Sequence, residues 1–403
     1  MSTVTPATTS PVRPYGQGDP EKDTPQGHGF LELVDVDHLE FYVGNARQAA
    51  FYYASAFGFT ITAYKGQETG SREAASYLLE QGNIRFVLTT GLTKDHPAAR
   101  HVQLFGDGVK SVNFTVRDAA DAYAQTTKRG AKGALAPVTE KDDRGFIKRS
   151  GICTYGEVEH HFIERSGYKG KFLPGFVPVN PAVNRVNEKS DCGLRFVDHL
   201  VGNVEEGKMN HWVKWYEEVM GFTMFKHFDD KDISTEYSAL MSKVMSSGRG
   251  LIKMPINEPA QGKKKSQVQE YLDWHNGTPG VQHVALRTDD ELDSVGKLRA
   301  RGVEFLMLPD TYYELVWDRV DKMLRDHGHN PVKEDHEKVK QLGILVDADD
   351  EGYLLQIFTK PVEDRPTLFY EIITRRGSQS FGKGNFKALF ESLELEQGRR
   401  GNL

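Results

Sequence analysis

The chain has 403 residues, enough for two or three domains, and 38% hydrophobic with 27% charged residues suits a globular protein with real cores. A net charge of −6 with scattered basic residues leaves no electrostatic footprint for nucleic acid, and Lys263-Lys-Lys265 reads as an exposed loop. Two distant cysteines, Cys153 and Cys192, exclude a disulfide framework or zinc finger, and no run nears the roughly 18 apolar residues of a membrane helix.

Residues 1–29 are rich in Thr, Pro, Gly and charge, lack the apolar region of a secretion signal, and read as a disordered tail. The expected compartment is the cytoplasm. An N-terminal domain, 30–166, opens with a strand over 33–43 that closes at Gly44-Asn45. Ala49, Ala50, Tyr53, Ala54 and Phe57 then recur at helical spacing, with Gly58 suited to the C′ position. Strands over 59–64, 75–80 and 84–90 follow. A second round begins with the strand 111–116 and helix 119–129, and continues through 134–137, 146–154 and 160–164. Residues 167–190, interrupted by proline and glycine, read as a linker.

The C-terminal domain, 191–403, repeats this order. Phe196-Val-Asp-His199-Leu-Val-Gly202-Asn203 echoes Val36-Asp-His38-Leu and Gly44-Asn45. Met209, Trp212, Val213, Tyr216 and Met220 line a helix that again ends at Gly-Phe, and strands over 236–245 and 250–256 follow. Gly280-Val-Gln-His283 echoes Gly108-Val-Lys-Ser111 before helix 290–301 and strands over 304–308, 352–359 and 367–374. A unit of strand, helix and three strands therefore occurs twice in each half. The fold class is α+β: duplicated βαβββ units whose helices cover one sheet face while the other lines a barrel-like cavity. The second half adds a charged helical insertion, 309–343, and a final amphipathic helix carrying Phe386, Leu389, Phe390 and Leu393, a candidate lid for the cavity mouth.

One carboxylate stands out. Glu371 lies within Thr367-Leu-Phe-Tyr-Glu-Ile-Ile-Thr374, where alternation puts it on one face with Thr367, Phe369 and Ile373. Burial of a carboxylate is costly unless it is paired or bound to metal; the alternative is a solvated sheet face. The repeat supplies partners, because His199 and His283 open the two units of the same half. Two imidazoles and one carboxylate form the facial triad used by non-haem iron(II). The matching first-half positions are His38, Ser111 and His161. Serine is a poor iron ligand, so the first half is expected to be metal-free, with a weak His38–His161 site left open. Ser242, Asn257, Gln267, Gln356 and Phe358 place amides and a hydroxyl beside an aromatic ring, which suits a substrate with an apolar ring and a neutral hydrogen-bonding tip.

The second half is also recognisable by its motifs. Asp198-His-Leu-Val-Gly-Asn203, Thr235-Glu-Tyr-Ser238, Pro255-Ile-Asn-Glu-Pro259, Gly262-Lys-Lys-Lys-Ser-Gln267, Gly280-Val-Gln-His283 and Gly352-Tyr-Leu-Leu-Gln-Ile-Phe-Thr-Lys-Pro361 cover much of it, with similarly close runs to the C-terminus. Through them the chain resembles the 4-hydroxyphenylpyruvate dioxygenase family of the vicinal-oxygen-chelate superfamily, with its glyoxalase-like fold. The first half resembles it more loosely, through Val43-Gly-Asn-Ala46 and Gly70-Ser-Arg-Glu73. The resemblance implies one iron(II) held by His199, His283 and Glu371. It implies substrate-pocket roles for Ser242, Asn257, Gln267, Gln282, Gln356 and Phe358, with Phe381, Asn385 and Phe386 at the lid. An ideal strand would point Gln282 away from His283. Ser380 departs from the glycine often found there in relatives. The implied reaction takes 4-hydroxyphenylpyruvate and O2 to homogentisate and CO2 in tyrosine and phenylalanine catabolism. No further cofactor, nucleic acid or membrane partner is implied, and a homo-oligomer, dimer or tetramer, is. Hydroxymandelate synthase is the nearest alternative, and a metal-free small-molecule-binding protein of the same fold is the other.

Overall fold

The structure, a computed structural model, describes residues 30–180, 191–228, 239–247, 250–260, 262–306 and 308–401. The 1–29 tail, the end of the linker and the Thr235-Glu-Tyr-Ser238 run lie outside the described residues. Among the described residues no helix is long and apolar enough to cross a membrane.

The first half runs β1 (Asp35–Tyr42), α1 (Ala46–Phe57), β2 (Thr60–Lys65), β3 (Ala74–Gln81), β4 (Ile84–Gly91), α2 (Pro97–Phe105), β5 (Gly108–Thr115), α3 (Ala119–Lys128), β6 (Gly133–Asp142), β7 (Gly145–Cys153), β8 (Glu159–Glu164) and β9 (Val177–Pro178). The second runs β10 (Leu194–Asn203), α4 (Met209–Met220), β11 (Thr223–Phe228), β12 (Ala239–Ser246), β13 (Lys253–Ala260), α5 (Gln267–Trp274), β14 (Gly280–Thr288), α6 (Glu291–Ala300), α7 (Asp310–Asp326), α8 (His336–Leu342), β15 (Leu345–Asp349), β16 (Gly352–Phe358), β17 (Phe369–Arg376) and α9 (Phe386–Arg399).

The duplication is visible in the strand order. One sheet reads β6-β7-β8-β5-β1-β4-β3-β2-β9, the other β11-β12-β13-β10-β14-β17-β16-β15. Read from β2 and from β11 the two are the same sequence of strands, with β15 in the place of β6. That is a difference from the expectation: the described residues of 304–308 make only an isolated bridge, Phe305 to Thr359, and Leu345–Asp349 forms the edge strand instead. The helical insertion displaces the strand along the chain without changing the sheet. Helices α2 and α5 were not foreseen either. Both are short, and His96 and Ser266 cap them by accepting from Ala98 N and Gln269 N.

Local rules explain the first helix of each half. Asn45 accepts from Gln48 N at the start of α1, and Gly58 takes the left-handed conformation (φ 76°) that ends it. Gly221 (φ 67°) ends α4 in the same way, but Asn203 does not repeat the work of Asn45. It remains in β10, wholly buried, and its amide has no partner among the described residues.

The strand β17 shows how one stretch serves two purposes. Phe369, Glu371 and Ile373 share one face. On the opposite face Tyr370 packs into the first half, against Phe57 (ring centroids 5.0 Å), Tyr53 and Phe86, and its hydroxyl donates to that of Tyr53 at 2.8 Å. Alternation thus couples the carboxylate's position to the contact between halves. Gln81 Oε1 fastens the same junction by accepting from Cys192 N (2.8 Å) and Leu194 N (3.2 Å).

The inner faces of the two sheets differ. Over 168–178 the segment read as linker folds back onto the first sheet, with Phe172, Leu173 and Phe176 packed among Ala63, Leu78, Val87, Ile147 and Ile163. In the second half α9 brings Ala388 and Leu393 against Leu306, Leu345, Phe358 and Phe369. Its far end is tied by Arg400, which donates to both oxygens of Glu270 (3.1 and 2.7 Å).

Candidate metal centre

The three residues singled out in sequence meet in space. His199 on β10, His283 on β14 and Glu371 on β17 are all buried, and one donor atom from each lies within 4.8 Å of the others. His199 Nε2 is 3.0 Å and His283 Nε2 3.6 Å from the same oxygen, Oε2 of Glu371. Among the described residues this is the one group of three or more that could hold a metal ion.

Backbone irregularities aim the two imidazoles. The β10–β14 register slips between Val197 and His199, which makes Asp198 an extra residue on β10. It slips again between Val201 and Gly202, opposite His283 and Val281, which makes Gln282 extra on β14. A bulge bends the strand and turns consecutive side chains toward each other. Asp198 Oδ1 therefore accepts from His199 Nδ1 (2.9 Å), and Gln282 Oε1 from His283 Nδ1 (3.0 Å). With both Nδ1 atoms donating, the lone pairs sit on Nε2 and face Glu371. Ligating histidines are held this way at metal sites, so the donor set fits a metal. The expectation that Gln282 points away from His283 is corrected: it assumed an unbroken pleat.

Charge follows the geometry. Burial alone would raise Glu371, but His199 and then His283 bring its carboxyl down to about 2. Burial lowers both imidazoles; Glu371 and Asp198 overcome this at His199, which ends above the usual 6.5, while His283 ends below it. Burial likewise opposes Asp198, yet Arg375 holds it well below the carboxylate range. A proton held on His199 Nε2 would compete with a metal for the same lone pair. The sign is definite: His199, raised in the folded chain, binds its proton below that raised value, and metal affinity is lost as pH falls through it. Affinity should fall about tenfold per pH unit there, measured by isothermal titration with cobalt(II), with proton release shown by buffers of different ionisation heat. A pH-independent affinity would remove His199 from the donor set.

The remaining expected site residues surround this cluster unevenly. Phe358 pairs directly with Glu371 across β16 and β17, and Gln356 pairs with Ile373, so both share the inner face. Phe358 (6.0 Å) and Phe369 (4.7 Å, stacked) pack their rings on His283, and Phe381 lies edge-on to His199 at 5.0 Å. Ser242 and Asn257 face each other across β12 and β13, with Asn257 inside its strand rather than ending it. Gln267 opens α5, and its Oε1 accepts from Gln282 Nε2 at 3.4 Å. Asn385 is wholly buried and turned to the insertion, where its Oδ1 accepts from Tyr312 at 2.7 Å. The side chain of Phe386 lies outside what the structure describes. Two buried polar atoms of this set, Gln356 Oε1 and Asn385 Nδ2, have no partner among the described residues.

In the first half the ladder confirms the matching positions: His161 pairs Asn113 as Glu371 pairs Ala285. The side chains there are engaged with one another. His161 Nε2 bonds Glu159 (2.8 Å), Ser111 Oγ accepts from Asn113 (2.9 Å), and Phe172 packs on His38 at 5.0 Å. His38 and His161 belong to no group of three or more such donors among the described residues. Residue type and spacing alone assign no role to Asp198 and Arg375. The signal was present in the repeat, since Asp37 and Arg165 hold the same places.

The glyoxalase, bleomycin resistance protein and dioxygenase superfamily profile matches residues 35–168 and 197–333. The 4-hydroxyphenylpyruvate dioxygenase of Tetrahymena thermophila is 50% identical over 391 residues, covering 95% of this chain and 94% of its own length. That of Yarrowia lipolytica is 46% identical, covering 94% and 97%. Among solved structures, a mutant 4-hydroxymandelate synthase from Streptomyces coelicolor superposes with a TM-score of 0.78 at 28% identity, covering 90% of this chain and 98% of its own.

Proposed function

Since the chain belongs to the 4-hydroxyphenylpyruvate dioxygenase family, we propose that it converts 4-hydroxyphenylpyruvate and O2 to homogentisate and CO2 at one iron(II) held by His199, His283 and Glu371. The chain is a dioxygenase of the glyoxalase-like fold, and its buried His, His, Glu group could hold a metal. The observation that carries the iron reading is the donor set itself. Two Nε2 atoms converge on a carboxylate oxygen, and three protein ligands leave coordination positions open. Iron(II) bound there would supply a Lewis-acidic, redox-active centre at which a 2-oxo acid and dioxygen meet.

The chain's own residues do the rest. Asp198 and Gln282 keep each imidazole in the tautomer that leaves Nε2 free. Phe358, Phe369 and Phe381 wall the donor cluster with apolar surface, which excludes water and suits an aromatic ring. Gln356 Oε1, on the inner sheet face and without a partner among the described residues, supports neutral hydrogen bonding to the substrate, because such atoms are rarely left unmatched. Ser242, Asn257, Gln267 and Gln282 complete the proposed pocket, with Phe381, Asn385 and Phe386 at its cover.

The test is product identification. The chain loaded with iron(II) should consume one O2 per 4-hydroxyphenylpyruvate and release homogentisate, separated by chromatography. Isolation of 4-hydroxymandelate would overturn the reading in favour of the synthase chemistry. An iron-loaded chain that takes up no oxygen would favour a binding protein.

A further inference from the structure

Arg375 lies on the same β17 face as Glu371, four residues on, and all three nitrogens of its guanidinium are engaged. Nε and Nη2 grip Asp198 at 2.9 and 2.7 Å, the carboxylate that also holds His199 Nδ1. Nη1 donates to the carbonyls of Ser380 (2.5 Å) and Ser378 (3.4 Å). The same group lies 5.5 Å from the ring of Phe381, which in turn packs edge-on against His199 at 5.0 Å. The side chain of a metal donor and the segment covering it therefore hang on one buried cation.

The first half provides an internal comparison. Arg165 grips Asp37 at 2.5 and 2.6 Å, and Asp37 holds His38 Nδ1 at 2.6 Å. Arg165 also donates to the carbonyl of Phe172 and lies 4.9 Å from its ring, which packs edge-on to His38 at 5.0 Å. The whole arrangement recurs where Ser111 and His161 stand in place of His283 and Glu371. A metal is thus not its cause. Its common feature is mechanical: it ties the segment after the last strand to the histidine of the first.

We propose that Asp198 and Arg375 are positioning residues that couple the metal centre to the cover segment Ser378–Phe381. This rests on the metal reading above. An arginine fork is needed because it serves the carboxylate and the carbonyls in fixed directions at once, which a lysine ammonium on a flexible stem cannot. A metal that draws His199 into place stiffens Asp198 and, through Arg375, the segment carrying Phe381.

Cobalt(II) is the probe, with affinity read by chelator competition and cover order by amide hydrogen exchange over 378–382. In the wild-type chain cobalt should slow exchange there. R375K should weaken cobalt binding about 10–100-fold, the usual range for residues that orient a metal ligand, and abolish the cobalt-dependent slowing. D198N, which keeps an acceptor for His199 but loses the charge pair, should do the same to a smaller degree and serves if R375K does not fold. R165K should leave both readouts as in the wild type. Wild-type cobalt binding tests the metal centre, and only the difference between variant and wild type tests the coupling, so the two readings fail separately. A folded R375K or D198N chain with wild-type cobalt affinity and undiminished slowing over 378–382 would overturn the proposal.

Discussion

Glu371→Ala abolishes metal retention and turnover together. The alanine chain, exposed to iron(II) and desalted, should hold no stoichiometric metal by elemental analysis, and oxygen uptake should fall by at least about a thousandfold. That exceeds the 10–100-fold typical of residues one shell out, because a donor itself is lost. Glu371 is the only anion among the three donors, and both Nε2 atoms converge on its Oε2. Without it two neutral imidazoles face a divalent cation. The fold should survive, since the change removes a buried charge and leaves two imidazoles that can stay neutral, so nothing charged is left stranded. Circular dichroism of the metal-free variant checks this. A variant that stays folded and active would remove Glu371 from the site.

Gly384→Val separates the cover from the metal. Residues 383–385 form a short 3-10 turn whose base is clamped by the helical insertion. Gly384 N donates to Asp347 Oδ2 at 2.9 Å, Asp347 pairs with Arg319 from α7, and Tyr312 from the same helix donates to Asn385. A side chain at 384 would start inside the Arg319–Asp347 pair, closer than unbonded atoms can sit. The pair must then part, and the turn shifts away from the site. A displacement of about 1 Å at a positioning element can cost on the order of 100-fold in rate. We expect kcat/KM to fall by about that factor while cobalt(II) affinity stays within about threefold of wild type. Loss of metal binding in this variant would show instead that the turn supports the donors directly. The insertion, which sequence alone showed only as a charged helical addition, thus acts as the anchor of the cover.

Several elements were legible from local pattern because local physics decides them. The helix ends at Gly58 and Gly221 are left-handed caps, and alternation along β17 correctly put Phe369, Glu371 and Ile373 together. The internal repeat did more, since equal places in a duplicated unit put His199, His283 and Glu371 on one cavity without any distance. The edge strand differs because 345–349 pairs along β16 while Phe305 meets the chain only beyond its end, at Thr359, and local propensity does not record which stretch pairs.

What the sequence determined by itself was the duplicated α+β plan, the grouping of His199, His283 and Glu371, and the family. Each rests on residue type, period and repeat, which are properties of the chain read in order. Tertiary structure decided how those donors are aimed. The bulges at Asp198 and Gln282, the Arg375 fork and the anchoring of 383–385 by α7 all depend on registers and contacts between residues far apart in sequence. A one-residue slip reverses every side chain beyond it, and no local pattern carries that information.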